Sequence, residues 1–285
     1  MRKLLVIMWS FMTIWVSAQV PFATPEASEI MKSVTVDQAK FRITYQLKFK
    51  NSVKDKDYQS DTRIVQIGKK CIKDYSLLLH RQDSIRTSYT KRGIDTYPSM
   101  RQSVFPYEII NNHSEAGTLI LYRLSNNLGT LRYFDHPVKL EWKLEEDTQN
   151  VLGFECKKAT TRFGGREYTA WYALSLRVNA GPYKFKGLPG LILKVEDSQK
   201  KYIWTAIATK NVIEPIIEYT YGDQKNTDAA KAKKTVLRMF QSPISTILAT
   251  GIQLRVVQNG KIKRLTSKDD TPIPFEPIEQ DGVKR

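Results

Sequence analysis

Ten consecutive residues, Phe41 to Lys50, alternate apolar and polar side chains without a break. Successive side chains of an extended chain point to opposite faces, so this period fits a β-strand with one buried and one wet face, and it fits no helix. Such a strand needs neighbours to pair its backbone and a cover for its apolar face, which commits the chain to a sheet-based core. Further extended runs are read at Thr62–Ile67, Thr118–Leu124 and Leu131–Phe134, the last two joined by the turn Asn126-Asn127-Leu128-Gly129. Gly164-Gly165 separates two arms rich in aromatic and β-branched residues, Gly153–Phe163 and Arg166–Leu176, and paired glycines supply the positive φ values of a two-residue hairpin turn. Lys201–Thr209 adds a strand, while Ile252–Val257 and Ile262–Leu265 form a closing hairpin around Asn259-Gly260. Leu140, Trp142 and Leu144 alternate again, after which the acidic segment Glu145–Asn150 reads as a turn.

Helices are few. Asp228–Phe240 holds strong helix formers, places Val236, Leu237 and Phe240 on one stripe, and has Thr227 or Asp228 as its N-cap. Pro243–Thr250 follows as a short helix, with Ser242 as N-cap, Pro243 at the first position and Gly251 as the stop. The expected fold is mainly β: a curved antiparallel sheet or open half-barrel covered by one or two C-terminal helices, without the β-α-β alternation of a parallel sheet. In chain order this gives a leader over 1–18, a lead-in over 19–39, a single β-rich domain over 40–266 and an extended or loosely attached Pro-rich tail over 267–285.

Between the central hairpin and Lys201 lies the segment Gly181–Leu193. Gly187, Pro189 and Gly190 define a tight loop, because glycine tolerates positive φ and proline holds φ near about −65°. Leu191, Ile192 and Leu193 then enter the core as a strand.

The first eighteen residues carry a basic start (Arg2, Lys3), an apolar stretch from Leu4 to Val16 and the small-residue signal Val16-Ser17-Ala18, which is the pattern of a cleaved secretory leader ending near Ala18. The apolar stretch is shorter than the roughly 20 residues that span a bilayer, and no later segment reaches that length, so the protein is not expected to be integral to a membrane. Periplasmic or secreted location follows. The formal charge is +16, two less without Arg2 and Lys3. A basic exported protein suits anionic envelope glycans, lipids or envelope proteins as partners, and export argues against nucleic acid. No run of five basic residues occurs, so the same charge also fits solvated faces.

Cys71 and Cys156 share an export-permissive compartment, where a bond between them would remove about 4–5 kcal/mol of unfolded-chain entropy; two buried free thiols are the alternative. His80, His113 and His136 belong to no metal-ligand spacing, and Asp135-His136 beside Pro137 reads as a turn. The chain has no G-x-S-x-G elbow, phosphate-cradling loop or G-x-G-x-x-G fingerprint, so no catalytic residue, metal or cofactor is assigned. Glu141, Glu145, Glu146 and Asp147 cluster as a solvated acidic loop rather than as a carboxylate pair across a cleft. The aromatic residues between 142 and 204 are the stronger signal. Trp142, Tyr168, Trp171, Tyr172 and Tyr183, with Arg162 and Arg166 among them, are the candidate ligand surface, since exposed rings beside cations stack on sugars or receive a peptide strand. The competing possibility is that alternate rings, including Phe185, Tyr202 and Trp204, fill the core beneath the sheet.

The hexapeptide Gly187-Leu188-Pro189-Gly190-Leu191-Ile192 resembles the signature of the GLPGLI family of exported Bacteroidota proteins of unknown function. Val151–Ala159, Phe163–Arg166, Ala170–Tyr172, Gly181-Pro182 and the ending Phe275–Glu279 are similar to that family as well. The resemblance implies a signal peptide, a mainly β domain and an envelope or secreted location. It supplies no catalytic residue, and it also looks related to non-catalytic domains attached to bacterial glycan-processing enzymes. The expected function is an exported cell-envelope binding or accessory protein; a glycan- or peptide-processing enzyme and a lipid or lipoprotein carrier are the alternatives.

Overall fold

The computed structural model describes residues 24–280 apart from 99, 101, 127 and 259–260. The leader, its cleavage site and the turn residues Asn127, Asn259 and Gly260 lie outside them. The chain opens with β1 (Ile30–Phe49), β2 (Gln59–Gly68) and β3 (Ile72–Ser76), turns into α1 (Leu77–Lys91), and continues through β4 (Tyr107–Ser114), β5 (Gly117–Arg123) and β6 (Thr130–Asp135). Next come β7 (Lys143–Val151), β8 (Phe154–Phe163), β9 (Arg166–Ala173), β10 (Leu191–Asp197), β11 (Tyr202–Tyr221) and β12 (Gln224–Asn226). The helices α2 (Ala229–Gln241) and α3 (Pro243–Leu248) and the hairpin β13 (Arg255–Gln258) and β14 (Lys261–Arg264) follow.

Strands β1 to β12 form one sheet in the order β12-β6-β5-β4-β3-β2-β1-β11-β10-β9-β8-β7, left open because β12 and β7 are its edges. Only the short β12 pairs in parallel, with β6. The expected open antiparallel sheet with few helices is therefore the observed fold. Its two faces separate two apolar clusters, visible where neighbouring residues of one strand part company: Ile109 and Ile120 join the main core, Ile110 and Leu119 a smaller cluster with Ala39, Cys71 and Ile216. The main core takes Ile43, Tyr45 and Leu47 of β1, the predicted alternating face, and is covered by Val236, Met239 and Phe240 of α2 and Ile247 of α3.

Several boundaries differ from expectation for identifiable reasons. Strand β1 begins at Ile30, so the predicted lead-in is sheet from residue 30 onward; it pairs with β11 along its whole length through four register shifts. The shifts before Phe41 skip residues of β1 and exchange its inward and outward side chains, which erases the period-two pattern there while leaving the chain extended. Glu145–Asn150 is not a turn but the middle of β7, an edge strand paired only with β8 and exposed on both faces. Helix α1 was not anticipated. Its buried residues are Leu79, Asp83 and Thr87, two of them polar, so it has almost no apolar stripe; its usable signals are the Ser76 N-cap, whose hydroxyl accepts from Leu79 N, and Gly93 (φ 71°) after its end. For α3 the Ser242 side chain makes no capping bond; Asp270 accepts from the N–H groups of Ile244 and Ser245 instead.

The Pro-rich tail is extended but held. Ile278 is 1% exposed within the core, Phe275 stacks on Phe240, and the backbone N–H groups of Ile273, Glu276 and Gln280 donate to Phe240, Asn51 and Gly164. Apolar residues spaced by prolines fill the core face of the sheet beside α2 and α3.

Cys71 and Cys156 are free thiols buried in the two different clusters, so the sheet itself lies between them and no bridge forms. At the signature loop, Gly187 has φ 103° whereas Gly190 has no positive φ. Gly190 is required by close approach: a Cβ there would lie 2.2 Å from the carbonyl oxygen of Ala173. The loop is thus a join, carrying Leu188 (2% exposed) and Leu191–Leu193 into the core of β10.

Candidate functional site

Strand alternation decides the fate of the predicted aromatic surface. On β9, Tyr168, Ala170 and Tyr172 share the core face, and the loop residue Tyr183 packs in the same cluster against Trp204. Arg166 is buried as well: Nη1 meets Asp197 Oδ2 at 3.2 Å, and Nε and Nη2 donate to the carbonyls of Ile278 and Pro277, pinning the tail. These four residues are core, not ligand surface. Trp142 and Trp171 are half-buried against the core edge, Trp142 Nε1 donating to Lys186 O at 2.9 Å, and only Arg162 of the seven is exposed. Rings concentrated on neighbouring strands of a curved sheet filled its inner face, the alternative identified from the sequence.

The described acidic groups of the interior are occupied by ion pairs. Arg63 bridges Asp61 and Asp74, and Lys184 meets both Asp135 (2.8 Å) and Glu279. His113 Nε2 lies 2.7 Å from Glu218, and His80 packs between the rings of Tyr75 and Tyr219. Beside Lys184, under α2 and the tail, Tyr107, Tyr133, Tyr183, Phe275 and Glu279 line a partly open pocket of about 30 Å³. That is room for about one or two waters, not for a sugar ring. Burial alone would raise the Glu279 carboxyl, but Lys184 and the Tyr183 hydroxyl hold it below its ordinary value, so it closes the tail over the sheet as an anion.

The other face carries a larger opening, built from residues outside the predicted aromatic surface. Arg123 lies on the face opposite Tyr122 and clamps Asp83 of α1 in a two-pronged bond, 3.1 Å for Nη1 to Oδ1 and 2.7 Å for Nη2 to Oδ2. Its guanidinium sits 3.7 Å from the centre of the Tyr221 ring, whose hydroxyl donates to Glu108 (2.9 Å), which in turn pairs with Lys73 at 2.7 Å. Burial pushes the Asp83 carboxyl up to about 6 against the pull of Arg123. Asp83 also accepts from Ser28 N, and Thr87 Oγ1 from Ile30 N, so this buried chain ties α1 to the start of β1.

Between them runs an open groove of about 490 Å³. One wall is Ile30–Ser33; the other is the helical stripe Ser84, Thr87, Ser88 and Lys91, with Arg92 at its end. The groove presents hydroxyls, three cations (Lys32, Lys91, Arg92) and the exposed side chain of Met31, with no carboxylate among its lining residues. Such a volume lies in the range of small-molecule sites, and hydroxyls beside cations suit a polyhydroxylated ligand bearing negative charge. The signal available in the sequence was the spacing of Ser84, Ser88 and Lys91, which becomes meaningful only once a helix is assigned there.

Residues 77–233 match the family described as N-glycanase peptide, N-terminal domain. Two crystal structures of PNGF-II are similar at 18% and 19% identity, with TM-scores of 0.43 and 0.44, each over 78% of this chain. The chain spans 35% of the length of those structures. No curated protein matches it.

Proposed function

The chain belongs to the N-glycanase peptide N-terminal domain family, and from that premise we propose that it is an exported cell-envelope accessory domain that binds glycans or glycan-bearing chains. The match over residues 77–233 carries the reading: it begins at α1, whose hydroxyl and cation stripe walls the open groove, and runs through the sheet that supports it. A module that holds a glycan needs an accessible polar cleft on a rigid frame. The buried chain from Asp83 to Lys73 gives that frame, since it fixes α1 to both β1 and the sheet. The ligand class we favour is an acidic oligosaccharide, because the groove's charged groups are all cations. Export with cleavage near Ala18, and membership of the GLPGLI family on its hexapeptide, belong to the same proposal.

Calorimetric titration with released neutral and acidic N-glycans and with glycopeptides tests it. Binding is expected for the acidic glycans and lost in Lys91→Glu/Arg92→Glu at unchanged melting temperature. Failure of every glycan and glycopeptide to bind overturns the proposal, and binding that survives the double substitution removes the groove from it.

A further inference from the structure

After α3 the hairpin β13–β14 forms a two-stranded sheet of its own, separate from the main sheet. Its pairs are Arg255↔Arg264, Val256↔Lys263, Val257↔Ile262 and Gln258↔Lys261. Directly opposed residues, and residues two apart on one strand, share a face. The inner face holds the hairpin in place: Leu254 packs against the main core, Val256 is half-buried, and Lys263 pairs with Asp269. The outer face carries the aliphatic pair Val257 and Ile262, 75% and 72% exposed, with Arg255 and Arg264 as the next pair on the same face. Folding gives no account of two bare aliphatic side chains there, because the hairpin is anchored through its other side.

The surroundings select the partner. Residues 252–265 contain no Asp or Glu, and Arg255, Arg264 and Lys261 are exposed and make no ion pair among the described residues. Two aliphatic side chains are far below the roughly 800 Å² per partner of a stable protein interface. Shallow insertion into a lipid headgroup region needs little apolar area when cations beside it meet lipid phosphates. We propose that the outer face of the β13–β14 hairpin, Val257 and Ile262 flanked by Arg255 and Arg264, docks the protein on anionic phospholipid surfaces. This site is separate from the groove and stands or falls independently of glycan binding.

The experiment is co-sedimentation of the purified protein with mixed phosphatidylglycerol–phosphatidylcholine vesicles and with pure phosphatidylcholine vesicles. Binding is expected only to the mixed vesicles, weakened about tenfold or more in Val257→Ser/Ile262→Ser and about fivefold for each of Arg255→Gln and Arg264→Gln. A Val257→Trp variant is expected to shift its emission to the blue on the mixed vesicles. Melting temperatures confirm that the variants remain folded. Failure to bind the mixed vesicles overturns the proposal, and so does binding that Val257→Ser/Ile262→Ser leaves intact or an unshifted Val257→Trp emission. Self-association abolished by the same double substitution, with no vesicle binding, reassigns the patch to contact between copies of the chain.

Discussion

Replacing Gly190 by alanine puts a methyl group where the backbone of the preceding strand already lies. The new Cβ would stand 2.2 Å from Ala173 O, 2.7 Å from Ala173 C and 3.1 Å from Leu174 N. All three are backbone atoms, so no side chain can rotate away. Relief to an ordinary contact requires the start of β10 to move off the end of β9 by roughly 1 Å, against the tolerance of a packed interior. That motion strains the Leu191 N–H to Leu176 O bond (3.0 Å) and the Leu191↔Ala173 pairing, and draws Leu191 and Ile192, both fully buried, out of register with the core. Overpacking of about 1–3 kcal/mol together with one or two weakened hydrogen bonds of about 1 kcal/mol each gives a loss of roughly 2–5 kcal/mol. A domain of ordinary stability, about 5–15 kcal/mol, would lose a large fraction of it. Gly153→Ala is the control: φ there is 81° with no neighbouring heavy atom within 4 Å, so it isolates backbone strain at about 1–2 kcal/mol. Urea unfolding followed by tryptophan fluorescence, Trp204 being enclosed in the core, measures both. A Gly190→Ala protein no less stable than Gly153→Ala would refute the close-approach explanation of the signature loop.

Both thiols should resist alkylation in the folded protein, since burial pushes Cys71 up to about 12 and Cys156 up to about 11; non-reducing mass analysis after denaturation should add two alkyl groups, and a species that takes none would show a bond. Burial also raises Tyr45, Tyr107, Tyr122, Tyr168 and Tyr183, which therefore hold their protons more tightly folded than unfolded. Their stabilisation is complete below the unfolded value of about 10 and is lost as pH climbs past it, so the urea midpoint should fall there and the last tyrosinate absorbance should rise only with unfolding; all fourteen tyrosines ionising while near-ultraviolet dichroism persists would contradict this. Ile278→Ala should cost about 2–4 kcal/mol in the same urea assay, and a change below about 0.5 kcal/mol would mean that the tail is a loose appendage after all.

Much of the sheet was legible because local signals and tertiary environment agree. Phe41–Phe49 alternates in sequence and faces the core on alternate residues; Gly164 and Gly165, at φ 57° and 74°, turn the hairpin they announce. Helix α2 was equally plain, capped by Asp228 and buried through Val236 and Phe240. Helix α1 and β7 were not legible, because one buries Asp83 and Thr87 in polar contacts and the other is an exposed edge, and neither has an apolar period. The candidate site suffered most. Tyr168, Tyr172, Tyr183 and Arg166 are the residue types of a sugar platform, yet each is equally apt for a core, and the choice depends on which face of a strand another segment covers.

The sequence by itself determined what adjacent residues can settle among themselves: strand periods, glycine turns, helix caps, and the tight Gly187–Gly190 loop. Only the tertiary structure decided what lies opposite what. It set Cys71 and Cys156 on opposite faces of the sheet, folded the Pro-rich tail over a gap that α2 and α3 leave, and joined Arg123 to Asp83 across forty positions beside the groove. Those outcomes depend on burial, and burial of a residue is a property of whatever distant segment excludes water from it.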